Sequence, residues 1–141
     1  MKELIQQCDE LIAELKKFSK EIIDLGKSIS DDRFEIFEKS IGFQLPIDFK
    51  YILTKYNGIS LLGTEVLALD KLQSSSLSEI YTFEHHEAGN PMPLKFLPFS
   101  PDGYGNHYCL DLSNLKDGLC PVVFWQHDTF MKAMTKQRFA I

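Results

Sequence analysis

The sequence points to an α+β protein, with N-terminal helices packed against a curved, mainly antiparallel β-sheet. Three observations carry that reading. Through residues 4–56 apolar residues recur every three or four positions, the period of amphipathic helices. Beyond Pro91 and Pro93 the pattern changes to short runs rich in β-branched and aromatic residues. Those runs are punctuated by Pro101-Asp102-Gly103 and Lys116-Asp117-Gly118, turn chemistry that joins neighbouring strands. Helices first and strands afterwards, rather than in alternation, give α+β with antiparallel pairing.

The first helix occupies residues 1–27. Leu4, Cys8, Leu11, Leu15, Phe18 and Ile22, widened by Ile5, Ile12 and Ile23, form one apolar stripe. Gly26 reads as its stop, since a residue just past a helix end often takes a positive φ. A second helix starts at Ser30-Asp31-Asp32, whose side-chain oxygens can accept first-turn N–H groups. Phe34, Phe37 and Ile41 continue it and Gly42 ends it. Leu45-Pro46 opens a third helix, Pro46 lacking only an N–H that the first turn leaves unused. Phe49, Ile52, Leu53 and Tyr56 are its apolar face, and Asn57-Gly58 closes it.

Val66–Leu69 is a short strand candidate. Ser76 with Glu79 three residues on has the form of a capping box, starting a helix through Leu77, Ile80, Tyr81 and Glu84. Three strands follow at Lys95–Phe99, His107–Leu112 and Val122–Gln126, with Pro98 marking the first as an edge strand or a bulge. The serine-rich stretch Leu72–Ser78 is too short to part domains. One domain over residues 1–141 is expected, since 141 residues suffice for a core without disulfides or metal.

The net charge is −5, from 15 basic and 20 acidic side chains. Residues 1–70 carry −4 of it and residues 71–141 carry −1. That balance argues against a general nucleic-acid binder, which needs a basic surface. Three cysteines, Cys8, Cys109 and Cys120, make no disulfide framework. Charges at Lys2, Glu3, Asp9 and Glu10 leave no room for a signal-peptide core, and no apolar run can span a bilayer, so a cytoplasmic protein is expected.

The four histidines all lie beyond residue 84. His86-Glu87-Ala88-Gly89-Asn90 nearly spells a zinc-protease motif, but Asn90 replaces the second histidine and Gly89 and Pro91 spoil the helix. His107, Cys109 and Asp111 alternate on one strand and so share a face. They are the residue types of a nucleophile, base and orienter. Alternate strand positions stand about 6.5–7 Å apart, however, too far for catalytic hydrogen bonds. A half-exposed polar face opposite a core face of Tyr108, Leu110 and Leu112 is the expectation, and a hydrolase built on it is the weakest functional reading. His127-Asp128 reads as a turn. Asp102, Asn106 and Asp111 do not match a calcium loop, and Gly103-Tyr104-Gly105 is only a tight turn. Catalytic residues, cofactor and metal are therefore not assigned.

Three segments together resemble a known family. Ile41-Gly42-Phe43-Gln44-Leu45-Pro46-Ile47-Asp48-Phe49-Lys50, running on to Tyr56-Asn57-Gly58, resembles the opening signature of the SUKH superfamily. Phe96–Phe99 with Gly105–Leu112 resembles its central strands, and Pro121–Asp128 its late strand and turn. The resemblance covers residues 31–130. It implies a non-enzymatic protein-binding domain. Bacterial members are typically immunity proteins that bind and neutralise a cognate toxin, often a nuclease. Fungal relatives regulate cell-wall assembly through protein contacts. Asn106-His107 stands where many members have Gly followed by Asp, and only Lys136–Ile141 remains to supply a closing helix.

The expected partner is therefore a toxin domain, with no direct nucleic acid and no membrane. A regulatory or scaffold interaction module is the alternative. An acidic surface would attract a basic nuclease, which itself must attract phosphate. The candidate contacts are Asp31, Asp32, Glu35 and Glu38 around the second helix, Asp102 at the strand turn, and Tyr104 as an aromatic anchor.

Overall fold

The computed structural model describes residues 2–70, 76–128 and 136–138, the last by backbone alone. Helix α1 is Lys2–Leu15, followed by strand β1 at Ile23–Leu25. Helices α2 and α3 are Asp31–Ile41 and Ile47–Lys55. Strands β2 and β3 are Ile59–Leu61 and Thr64–Val66. Helix α4, Leu77–Thr82, runs into a π-helical turn at Phe83–Glu87. Strands β4 Phe96–Pro101, β5 His107–Asp111, β6 Pro121–Trp125 and β7 Lys136–Arg138 follow.

The α+β class and the antiparallel pairing are as expected. The strands divide between a three-stranded sheet, β1-β2-β3, and a four-stranded one, β4-β5-β6-β7. The two meet where Leu67 N–H donates to Phe99 O at 2.9 Å and Ser100 Oγ donates to Glu65 O at 2.6 Å. The main core lies between helices and sheets, with Phe34, Phe37, Phe49, Leu53, Leu97 and Leu110 among its buried members. A smaller core on the other side of the four-stranded sheet holds Met92, Phe96, Cys109, Val123 and Trp125. A third, of Cys8, Ile12 and Ile52, joins α1 to α3.

Several boundaries follow the sequence closely. Gly42 stops α2 at φ 81°, its N–H donating to Glu38 O. Pro46 caps α3. Glu79 N–H donates to Ser76 Oγ at 3.3 Å, and the Ser76 hydroxyl reaches back to Glu79 Oε1 at 3.2 Å. Pro98 sits on edge strand β4 beside a register shift between Pro98 and Ser100, so it marks both an edge and a bulge. His127 and Asp128 lie in a turn.

Others differ. The first helix ends at Leu15, not Gly26. The chain turns at Ser19, whose carbonyl accepts from the N–H groups of Ile22 and Ile23 at 3.0 and 3.2 Å, and Ile23 then enters a strand. Gly26 is required for a different reason than a positive φ: a Cβ there would lie 2.0 Å from Asn57 O. The candidate strand Val66–Leu69 begins two residues earlier and ends at Val66. Strand β2 carries no expectation from the sequence. Lys136–Arg138 is a strand paired with β6 rather than part of a closing helix; residues 139–141 lie outside the described set, as do residues 71–75 of the serine-rich stretch.

The largest correction concerns β5. His107, Cys109 and Asp111 are 5%, 0% and 1% exposed, whereas Tyr108 is 48% exposed. The face expected to be half-exposed is covered by the π-helical turn, the Met92 segment and Trp125.

Candidate functional site

Helix α2 gathers the acidic candidates. Asp31, Glu35 and Glu38 are spaced at i, i+4 and i+7, so they share one face. That face forms one wall of a groove of about 590 Å³ whose lining includes Phe34. The other wall is α3, through Lys50, Tyr51, Thr54 and Lys55. Asp32 falls outside the groove, exposed at the start of α2. The Ser30 hydroxyl bonded to it is the main reason its carboxyl sits below the usual carboxylate range, aided by nearby N–H groups and Arg33.

The carboxylates do different work. Glu38 Oε2 accepts the Leu45 N–H at 2.6 Å and the Lys50 ammonium at 3.2 Å, so it ties the α2–α3 turn together. Asp31 Oδ1 accepts from the Thr54 hydroxyl at 3.5 Å. Glu35 makes no hydrogen bond or ion pair among the described residues. Glu38 is therefore a structural residue, while Asp31, Asp32 and Glu35 remain on the surface. The α3 wall was missed from the sequence, although Lys50, Tyr51, Thr54 and Lys55 lie on the helix face away from Phe49, Ile52 and Leu53.

Asp102 and Tyr104 belong to a different part of the fold, the β4–β5 turn. Asp102 Oδ1 accepts from the N–H groups of Tyr104 at 2.8 Å and Asn106 at 3.1 Å, and Oδ2 from the Asn106 amide at 3.0 Å. Desolvation, the largest single influence, raises the Asp102 pKa, but these bonds together outweigh it and hold it below the usual range. Tyr104 projects from that turn 82% exposed. Asn106 Oδ1 in turn accepts from the His127 backbone at 3.0 Å and Nδ1 at 2.8 Å, locking the turn to the end of β6. The Asn106-His107 departure thus has a structural role: Asn106 joins two turns and His107 goes into the core.

The strand trio does not assemble into a triad. His107 Nε2 faces Glu84 Oε2 at 3.6 Å, and Cys109 Sγ rests against Met92 Sδ at 3.9 Å and His107 O at 3.6 Å. Burial, with the Glu84 charge, pushes the Cys109 thiol well above its ordinary pKa, the opposite of an activated nucleophile. Asp111 caps the following turn, accepting from Ser113 and Asn114 at 2.7 Å each. In the near-zinc motif His86 is exposed, while its neighbour His85 is buried between the carbonyls of Tyr81 and Pro93. Among the described residues no group of three or more His, Cys, Asp or Glu converges on a metal position. Nor is any helix among them long and apolar enough to cross a membrane.

What these surfaces offer is contact chemistry: carboxylates on α2, lysines and a tyrosine across the groove, and an exposed aromatic on a rigid turn. The overall fold is similar to that of a protein from Pseudomonas syringae pv. tomato known by crystal structure, with a TM-score of 0.63 at 18% identity over 89% of each chain. The family model described as SMI1 / KNR4 family (SUKH-1) matches residues 28–137, from before α2 into β7. The chain belongs to the SMI1/KNR4 family of the SUKH type.

Proposed function

We propose that this chain is an immunity protein of a bacterial toxin system. It acts in the cytoplasm as one domain over residues 1–141, without catalysis. It binds a cognate toxin, of which a nuclease best suits its charge, and neutralises it by stoichiometric occlusion. Family membership supports a protein-binding role. The observation that carries the rest is the exposed acidic start of α2, where Asp31, Asp32 and Glu35 stand clear of the ion pair that absorbs Glu38. Such a face speeds encounter with a basic active-site surface and then sits over it. Tyr104 supplies a second contact of the aromatic kind that anchors interfaces.

Co-expression with a candidate toxin domain tests the reading. Survival of cells that die without the chain supports it. Death in both cases, with no complex on co-purification, overturns it and leaves a regulatory interaction module.

A further inference from the structure

The outer edge of the three-stranded sheet is partly open among the described residues. Strand order places β1 at that edge, paired there with β2 alone, while the Ile23 N–H is closed by the Ser19 carbonyl of the preceding turn at 3.2 Å. Leu62 N–H donates to Ile22 O at 3.1 Å and Gly26 N–H to Gly58 O at 2.8 Å, flanking the β1–β2 ladder. Bonded pairs alternate in antiparallel strands, so Asp24 with Ser60 is the bonded pair between them. The N–H and C=O of Leu25 and the C=O of Ile23 therefore point outward. Among the described residues nothing hydrogen-bonds to them.

A groove of about 540 Å³ runs beside this edge, lined by Phe18, Ile23, Leu25 and Tyr56, with Lys16 and Lys20 outnumbering the single carboxylate of Asp24. Phe18 and Ile22 are 42% and 37% exposed. Leu62, backbone-bonded to Ile22 at the same end of the sheet, is 72% exposed. It also holds φ 50°, a left-handed conformation that a leucine side chain makes unfavourable. Within the fold this residue has neither the conformation nor the burial that would favour leucine. Lys17 is paired with Glu14, whereas Lys16 and Lys20 have no acidic partner among the described residues.

We propose that β1 accepts a further strand: an extended apolar segment with acidic ends, from a partner protein. Its backbone bonds to Leu25 and Ile23. Its apolar side chains cover Phe18 and Leu25 in the groove. Its acidic ends meet Lys16 and Lys20. A second copy of this chain is the poorer occupant, because pairing two β1 edges about their centres sets Asp24 against Asp24. The proposal does not depend on the toxin reading, because it concerns a different edge of the molecule.

The test titrates the full chain with an eight-residue peptide, a Val-Thr-Val-Thr core between acidic ends, and follows backbone amides by NMR. The Leu25 amide shifts and its hydrogen exchange slows on binding. A lysine-ended counterpart binds about tenfold more weakly, and the Lys16→Glu/Lys20→Glu variant reverses that order. N-methylating the peptide residues whose N–H groups face β1 weakens binding about five- to tenfold, while methylating the alternate set does not. Absent binding, equal binding of both charge forms, or indifference to which amides are methylated overturns the proposal. None of those outcomes touches toxin protection, which the co-expression assay reads separately.

Discussion

Asp48 shows how far a single carboxyl departs from what its sequence position implies. It is 0% exposed, its Oδ1 accepts the Phe49 N–H at 2.8 Å, and its Oδ2 has no hydrogen-bond partner among the described residues. Burial raises its pKa from 3.8 to about 6, despite backbone N–H groups that pull the other way. The folded pKa lies above the unfolded one, so the fold favours the protonated form. The stabilisation is fully present below about pH 4 and is lost as pH rises through about 6. Asp48→Asn keeps the Phe49 bond and removes the buried charge. It raises stability at pH 7 by about 2 kcal/mol and flattens the acid-to-neutral difference, read by urea unfolding at both pH values. Leu62→Asn is the second residue-scale prediction. It relieves the φ 50° strain in the Leu62-Gly63 hairpin turn and stabilises by about 1 kcal/mol, read as a rise in melting temperature. Buried polar residues were the hardest to see in the sequence. Alternation says that His107, Cys109 and Asp111 share a face, but what covers that face, Glu84 and Met92, comes from a segment about 20 residues earlier.

Among the elements, the legible ones carry their own punctuation. Helix α2 has Asp31 and Asp32 at its start and Gly42 at its end, and α4 has the Ser76–Glu79 pair. Helix α1 misled because Phe18, Ile22 and Ile23 continue its three- and four-residue rhythm after the chain has turned. The packing of Cys8 and Ile12 on Ile52 ends the useful part of that stripe, and the β-branched Ile22-Ile23 pair suits a strand. The β4–β5 turn makes a prediction at this scale. Gly105 has φ 90°, and a Cβ would lie 2.9 Å from the His127 ring. Gly105→Ala loosens the Asn106–His127 clasp and costs about 1–2 kcal/mol of stability, read by chemical unfolding.

For the whole molecule the charge is the issue. The −5 total could serve only to keep the surface solvated, but its placement is specific. The acidic start of α2 stays exposed while Glu38, one turn beyond Glu35, is consumed by Leu45 and Lys50. The Asp31→Asn/Asp32→Asn/Glu35→Gln variant, with these sites fully at the surface, folds as the parent does. It slows association with a basic toxin domain about tenfold at low salt and much less at high salt, read by stopped-flow binding. From the sequence the acidic helix was evident, but not which carboxylates stay exposed, since Glu38 is withdrawn by a turn seven residues away. The central claim is neutralisation by occlusion, and an activity titration reads it directly. The purified toxin domain is assayed with increasing amounts of this chain. Occlusion predicts activity falling in proportion to added chain and vanishing at one equivalent. Full toxin activity at a large excess of the chain would contradict it.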